Sequence, residues 1–500
     1  MIALRSINIH TSFANMVQID ANILGMVTKI MQYFRPILSI RSPAKKFAKK
    51  HVNLGSLTTG MSMYWSSPMI VKLSNGTDIP LPQPITEKEG SWIVSAGYLA
   101  AIATNFLGGL LIDKIGRKYC IILVTIPRLF ASVWTIFANE VWMLILCRAV
   151  MVLTDCYMFV AIPVYVSEIA SKDHRGPLGT FLHISSCTGI VITLGVGPFL
   201  SYTVFNAILA GVIVITALPL PFLPDSPFYL YTKGRIDDSL TVLSKIRASD
   251  DIIKQEIEDY KSAKRVQINT LALFKDKIFL KSLSLGILIC AGSNAIGYNA
   301  VSFYLQTILD STKTSVQSEH ASVVIGCIQL FAALCTSFFN NTFGRRPILI
   351  YTLAGLFLGM IGLGTFFELT SKENYIVTGF LNYLPIISLI VCTYCFNVGI
   401  GCLIFVVTAE LFDGAARAIG VSICILVSLL IVFLTTNYFA EMAVKLGPSN
   451  TYWFFSAMCA LVGTLIYFFI PETKGKTFSE IQIALGRKNN ETEDKERQMS

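Results

Sequence analysis

The sequence predicts an all-α polytopic membrane protein, with twelve transmembrane helices in two six-helix bundles. Three observations carry that expectation. Charged residues make up only 14% of the 500 and hydrophobic ones 53%, whereas a water-soluble domain carries about 25% charge. Twelve apolar runs are long enough to cross a bilayer, and runs this continuous cross it as helices. The second set of six repeats the landmarks of the first in the same order.

The runs lie near 52–70, 92–112, 119–138, 141–161, 178–199 and 203–223, and then near 283–305, 321–339, 347–367, 384–408, 418–438 and 451–470. This divides the chain into an N-terminal segment 1–50, a first bundle 51–230, a linker 231–281, a second bundle 282–481 and a tail 482–500. Residues 21–40 are apolar, but Lys29, Arg35 and Pro36 interrupt them, so they read as loose or interfacial. In the linker, Ile236, Leu240, Val242 and Leu243, then Ile252, Ile253, Ile257 and Tyr260, alternate with polar residues as in short amphipathic helices. The expectation for them is a solvated helical bundle.

Net charge is +9. The cations form short clusters between apolar runs and not one patch, which argues against a nucleic-acid partner. Lys114, Arg117 and Lys118 follow span 2, Arg345 and Arg346 follow span 8, and Lys474 and Lys476 follow span 12. The intervening loops hold few cations. By the positive-inside rule, both termini and the linker are cytoplasmic. The twelve cysteines fall in or beside apolar runs, where they pack as small apolar residues. No cofactor, metal site or catalytic nucleophile is expected, and the chain does not read as an enzyme.

The repeated landmarks carry the chemistry. The first half has GGLLIDKIGRK at 108–118, PVYVSEIASKDHRG at 163–176 and PDSPFYL at 224–230. The second has NNTFGRRP at 340–347, VVTAELFDGAARAIG at 406–420 and PETKGKTF at 471–478. Gly116 corresponds to Gly344, Glu168 to Glu410 and Pro224 to Pro471. Asp113 can pair with the neighbouring cations at the inner face when the halves close there. A duplicated six-helix unit places a substrate near the bilayer midplane, between the halves.

These motifs resemble the signatures of the sugar porter family of the major facilitator superfamily. NLGSLTTGMSMYWSSP at 53–68 further resembles the first span of insect trehalose and glucose facilitators. The resemblance covers 51–481 and implies the major facilitator fold, alternating access and a sugar substrate. It implies an inner charge network of Glu168, Arg117, Arg148 and Asp225 in the first half, with Glu410, Arg345 and Arg346 in the second. Such a network locks the outward-facing state and breaks when the halves rock. Proton-coupled relatives pair an acid in span 1 with the residue matching Arg148; here Ser62 stands in that place, so facilitated diffusion is expected. Arg128, inside span 3, has no account at this level.

The sugar site departs from the family pattern. His183 replaces a glutamine in span 5, Ser293 and Asn294 replace a glutamine pair in span 7, and Asn299 matches. Phe396 and Asn397 match in span 10, but the proline-containing cluster beyond them is Gly401-Cys402-Leu403-Ile404-Phe405, which predicts a stiffer span. Ser428-Leu429 replaces an Asn-Trp pair in span 11. The expected substrate groups are therefore His183, Asn294, Asn299 and Asn397 for hydroxyls, with Phe396 and Phe405 as aromatic platforms. A carrier of another small polar solute and a non-transporting sugar sensor stay open as alternatives. Asn75-Gly76-Thr77 is a glycosylation sequon in the first outer loop, while those at Asn340 and Asn490 lie on the cytoplasmic side. A monomer in the plasma membrane is expected.

Overall fold

The computed structural model describes residues 54–76, 80–170, 175–247, 249–263, 273–371, 379–412, 416–476 and 478–486. The readings for residues 1–50, for Thr77 and for the sequon at Asn490 lie outside them. Helices stand on all twelve apolar runs, and no strand occurs among the described residues. Spans 2 to 6 are Glu87–Ile115, Arg117–Phe137, Val141–Ile169, Arg175–Val196 and Tyr202–Ala217. Spans 8, 9, 11 and 12 are Ser318–Thr342, Arg345–Thr370, Ala416–Leu446 and Pro448–Phe469. Among the described residues nine helices are long and apolar enough to cross a membrane, or ten if the bent pair within Glu87–Ile115 is one span.

Spans 1, 7 and 10 are interrupted, the last two while still long and apolar enough to cross. Span 1 is split into 54–63 and Ser66–Asn75 at Tyr64 and Trp65. Span 7 runs as Lys277–Ala295, Tyr298–Phe303 and Leu305–Ser311. Gly297 makes the first of its breaks with φ +76°, a backbone open to glycine, and a Cβ there would strike the Phe455 ring. Span 10 is Leu384–Val398 and Ile400–Glu410. It is interrupted where a stiff helix was expected: Gly399 leaves helical geometry, and its bare Cα packs against the Thr352 side chain. A glycine without prolines suffices to deform the helix, because close approach of span 9 leaves no room for a side chain.

Spans 2, 3, 4 and 6 pack together in the first half, and spans 7, 9, 10, 11 and 12 in the second. The halves meet where span 2 packs on span 11, span 5 on span 8, and span 1 on span 7. The first two contacts are exchanged by the six-span repeat, so the interface has the two-fold logic of the duplication. Lipid offers no hydrophobic gain for helix association, and small residues let backbones touch instead. Gly60 of span 1 lies on the Ser186 carbonyl of span 5, and Gly189 of span 5 on the Leu57 carbonyl of span 1. Gly355, Gly359 and Gly362 of span 9 receive Cys395, Cys392 and Ser388 of span 10 in the same way.

The linker is less solvated than its sequence suggests. Its helices are Pro227–Thr232, Ile236–Ile246 and Asp250–Ala263. Leu243, Ile246, Ile253 and Tyr260 join a core with Ile121, Val124, Tyr165 and Ile169 of spans 3 and 4. Arg247 pairs with both Glu256 oxygens at 2.6 Å and donates to the Ile169 and Ala170 carbonyls at 2.7 and 3.4 Å. It thus satisfies the last carbonyls of span 4, which no helical N–H can reach. Burial, reinforced by the Glu256 carboxylate, pushes the Tyr260 phenol above its usual range, so it stays protonated and donates to Glu256 at 3.3 Å. The end of the molecule carrying these helices is called the linker face below.

Candidate functional site

The break in span 7 brings two sequence-selected asparagines together. Asn299 Nδ2 donates to Asn294 Oδ1 at 2.7 Å. Asn294 Nδ2 in turn donates to Ser428 Oγ of span 11 at 2.7 Å and to the Cys290 carbonyl at 2.9 Å. Asn397 is joined less directly: its Nδ2 donates to the Tyr298 hydroxyl at 3.4 Å and to the Thr393 carbonyl at 2.8 Å. The Tyr298 ring stacks on Phe396 with centroids 4.0 Å apart. Tyr64, at the break in span 1, reaches Tyr298, Ser302 and Gln329. Gln329, on span 8, is buried with its Oε1 unpartnered among the described residues.

The result is a wall of uncharged amides, hydroxyls and aromatic faces, drawn from spans 1, 7, 8, 10 and 11 where the halves meet. Such a wall suits a neutral, hydroxyl-rich solute. Sequence reasoning missed Tyr64, Tyr298 and Gln329. Tyr298 adjoins the recognised Asn299, and Tyr64 stands inside the recognised 53–68 segment, but no local signal marked Gln329. His183 makes no hydrogen bond to this cluster among the described residues: it is half-buried on span 5, its Nε2 3.9 Å from Cys187 Sγ, beside the span 5–span 8 seam of Cys187, Leu330 and Ala333. Phe405 lies beyond the Gly399 interruption and is 52% exposed, away from the stacked pair.

Two charge clusters stand at the linker face, one in each half. In the first, Arg117 Nε pairs with Glu168 Oε1 at 2.9 Å, and the Ser226 hydroxyl donates to the other Glu168 oxygen. Arg117 also approaches Asp113 at 3.4 Å, and its guanidinium lies over the rings of Phe228 and Tyr229. Gly116 turns the chain at φ +99° under Tyr229, whose hydroxyl donates to the Lys114 carbonyl at 2.9 Å. In the second, Arg345 approaches Glu410 at 3.8 Å, and Thr473 donates to the other Glu410 oxygen at 2.6 Å. Glu472 accepts from the backbone N–H groups of Arg345 and Arg346 at 2.8 and 3.2 Å. It thereby caps the positive N-terminus of span 9. Arg346 lies over the Tyr467 ring and donates to its carbonyl. Glu168, Ser226 and Arg117 thus repeat as Glu410, Thr473 and Arg345.

Among the described residues the contacts named for each cluster lie inside one half. Two expected members differ. Asp225 lies beside Tyr165, whose hydroxyl donates to the Pro224 carbonyl at 2.7 Å, and it forms no ion pair among the described residues. Arg148 is not at the linker face at all. It precedes Glu168 by twenty positions on one helix, which separates their backbones by about 30 Å. Its guanidinium instead covers Trp65 at 4.6 Å and donates to the Ser62 carbonyl at 3.3 Å.

At the face opposite the linker the halves are joined. Ser95 donates to Asn437 at 2.9 Å, and the Gln306 backbone N–H donates to Ser67 at 3.1 Å. Tyr64 and Tyr98 both meet the Phe303 ring, and Trp92 meets Phe433. The conformation is therefore one that is sealed on this face. Asn75 is exposed there, at the end of span 1.

Two repeated six-helix units, a polar cluster between them and a seal on one face define a membrane transporter of the major facilitator fold. Residues 38–485 match the family described as "Sugar (and other) transporter", and the chain belongs to it. Among its relatives are the facilitated trehalose transporters Tret1 of Polypedilum vanderplanki and Bombyx mori. The first is 25% identical over 86% of this chain and 86% of the relative, the second 26% over 87% and 85%. The facilitated glucose transporter member 6 of solute carrier family 2 from Mus musculus is 26% identical over 86% and 88%. The inward-open structure of the xylose transporter XylE from E. coli superimposes with a TM-score of 0.73 at 19% identity, over 87% of this chain and 98% of that one.

Proposed function

We propose that this protein is a facilitative carrier for a sugar, a disaccharide of the trehalose kind or a hexose, working by alternating access. The observation that carries the reading is the Asn294–Asn299 pair, tied to Ser428 and set beside Tyr298, Phe396 and the unpartnered Gln329 oxygen. A sugar hydroxyl supplies the donor that the Gln329 oxygen lacks, and the rings take the apolar faces of the sugar. The names of the relatives supply the choice of trehalose and glucose. Spans 1–6 and spans 7–12 are the moving units, the linker face is cytoplasmic with both termini, and the membrane is the plasma membrane. Asn75, exposed on the outer side, is the glycosylation site, and the carrier works as a monomer.

The test is uptake of labelled trehalose, glucose and other hexoses into oocytes, with and without a proton gradient. Saturable uptake of one of them, indifferent to the gradient, is expected. A protein that stands at the surface and moves none of them defeats the sugar reading; uptake that follows the gradient defeats the facilitative part.

A further inference from the structure

Deep in the first half lies a second charged cluster, far from the linker face. Arg128 of span 3 and Asp155 of span 4 pair at 2.8 Å, and both are 2% exposed or less. Arg128 Nη1 also donates to Thr59 Oγ1 of span 1 at 3.2 Å. The Asp155 carboxylate faces the hydroxyls of Thr59 and Ser62. Arg148, seven positions earlier on span 4, shares that face of the helix. Two guanidinium groups and one carboxylate therefore converge on one stretch of span 1, within the membrane-spanning region, where an ionised side chain is costly and marks a functional element.

That stretch is the break. At Ser62–Ser67 the hydrogen bonds shorten to a three-residue spacing: the Trp65 N–H donates to the Ser62 carbonyl at 3.3 Å, and the Ser67 N–H to the Tyr64 carbonyl at 3.1 Å. A mid-helix stretch of this kind marks a hinge. Arg148 donates to that same Ser62 carbonyl and covers Trp65, whose Nε1 is anchored to Asn206 Oδ1 at 2.7 Å. Just past the anchored carbonyl, Tyr64 reaches across to Phe303 and Ser67 to Gln306, both in the other half. The Asp155 oxygens and the Ser62 hydroxyl close no well-aligned hydrogen bond. Span 1 is thus held at two directional contacts, Arg128 on the Thr59 hydroxyl and Arg148 on the Ser62 carbonyl, while Asp155 acts on it by attraction alone.

We propose that the buried Arg128–Asp155–Arg148 cluster is a positioning device. It holds the span 1 hinge in the bend that brings Tyr64 and Ser67 onto span 7, and so favours closure on the face opposite the linker. Asp155 is its counter-ion and Thr59 its contact with span 1. The proposal rests on the alternating-access reading but not on the identity of the solute.

Its test reads the gate and not transport. Ser95 is fully buried within the seal, on Asn437, so Ser95→Cys, in a background whose native thiols have been blocked or removed and taken as the parent for every variant below, reports opening through its rate of reaction with an impermeant thiol reagent. Arg128→Met combined with Asp155→Leu removes the pair without changing net charge. At equal surface level this variant is expected to raise the labelling rate about tenfold, with a smaller rise for Thr59→Val, which cuts only the contact to span 1. Asp155→Glu alone, which keeps both charges of the pair, is expected to label at close to the parent's rate. Should the double variant fail to reach the surface, Thr59→Val keeps the proposal open to refutation. Labelling unchanged in either surface-expressed variant overturns it, and the sugar reading then stands or falls separately on uptake.

Discussion

Replacing Asn299 by alanine tests the central site most directly. Its side chain makes one 2.7 Å hydrogen bond within the protein, to Asn294 Oδ1, and is half-buried at the wall between the halves. The substitution removes a neutral amide available to a sugar hydroxyl, worth about 0.5–1.5 kcal/mol. It also frees the Asn294 carboxamide to turn away from its position toward the solute. Together these cost about 1–2 kcal/mol of substrate binding, a rise of about 5- to 30-fold in the half-saturation concentration. Ser428→Ala is the graded control. Asn294 keeps the Cys290 carbonyl as an acceptor, so a change of about twofold is expected from one weakened neutral hydrogen bond. The assay is concentration-dependent uptake in oocytes, normalised to surface protein. Half-saturation within about twofold of the parent for Asn299→Ala, at normal surface level, would show that the pair is bundle packing and refute the reasoning.

Glu168→Gln leaves Arg117 with the exposed Asp113 and the Ile112 carbonyl, and loses a charge-assisted contact of about 1–3 kcal/mol. The maximal uptake rate is expected to fall while half-saturation holds; the reverse pattern would assign Glu168 to substrate binding. Glu472→Ala strips the cap from the first two N–H groups of span 9, a loss of about 1–2 kcal/mol. It should lower the thermal midpoint in detergent, with Glu472→Gln intermediate; an unshifted midpoint for the alanine variant contradicts the capping role. Arg247→Ala leaves Glu256 and the end of span 4 without their shared partner, at a cost of about 3 kcal/mol for a mostly buried pair. Protease should then cut the 250–263 helix faster, and unchanged resistance would mean the linker is held by its apolar face alone.

How legible each part was depended on how local its cause is. The linker shows the boundary. Its amphipathic period located the helices, but Ile246 and Arg247 are buried only because the ends of spans 3 and 4 lie against them. The charge clusters at the linker face were half legible. Glu168, Glu410, Arg117 and Arg345 stood in repeated motifs, whereas Ser226, Thr473 and Glu472 acquired partners only when the chain after span 6 and after span 12 folded back. Arg148 was assigned to the wrong end of its span because a motif match carries no depth, and the rise of the helix does.

By itself the sequence determined the membrane class, the twelve apolar runs, the duplication and the family. These follow from hydropathy, span length and motif order, which are properties of the chain read in one dimension. It also marked Asn294 and Asn299 as candidate sugar ligands. The tertiary structure alone decided that Asn294 and Asn299 touch, that Gln329 and Tyr64 join them, and that Arg128 has a counter-ion. Asp155 is a lone acid in an apolar run, and its partner lies on another helix. Which faces of two spans meet depends on how each helix is rotated against its neighbours. That rotation is set by contacts such as Gly60 on Ser186 and Gly399 on Thr352, and no window along a single helix contains it.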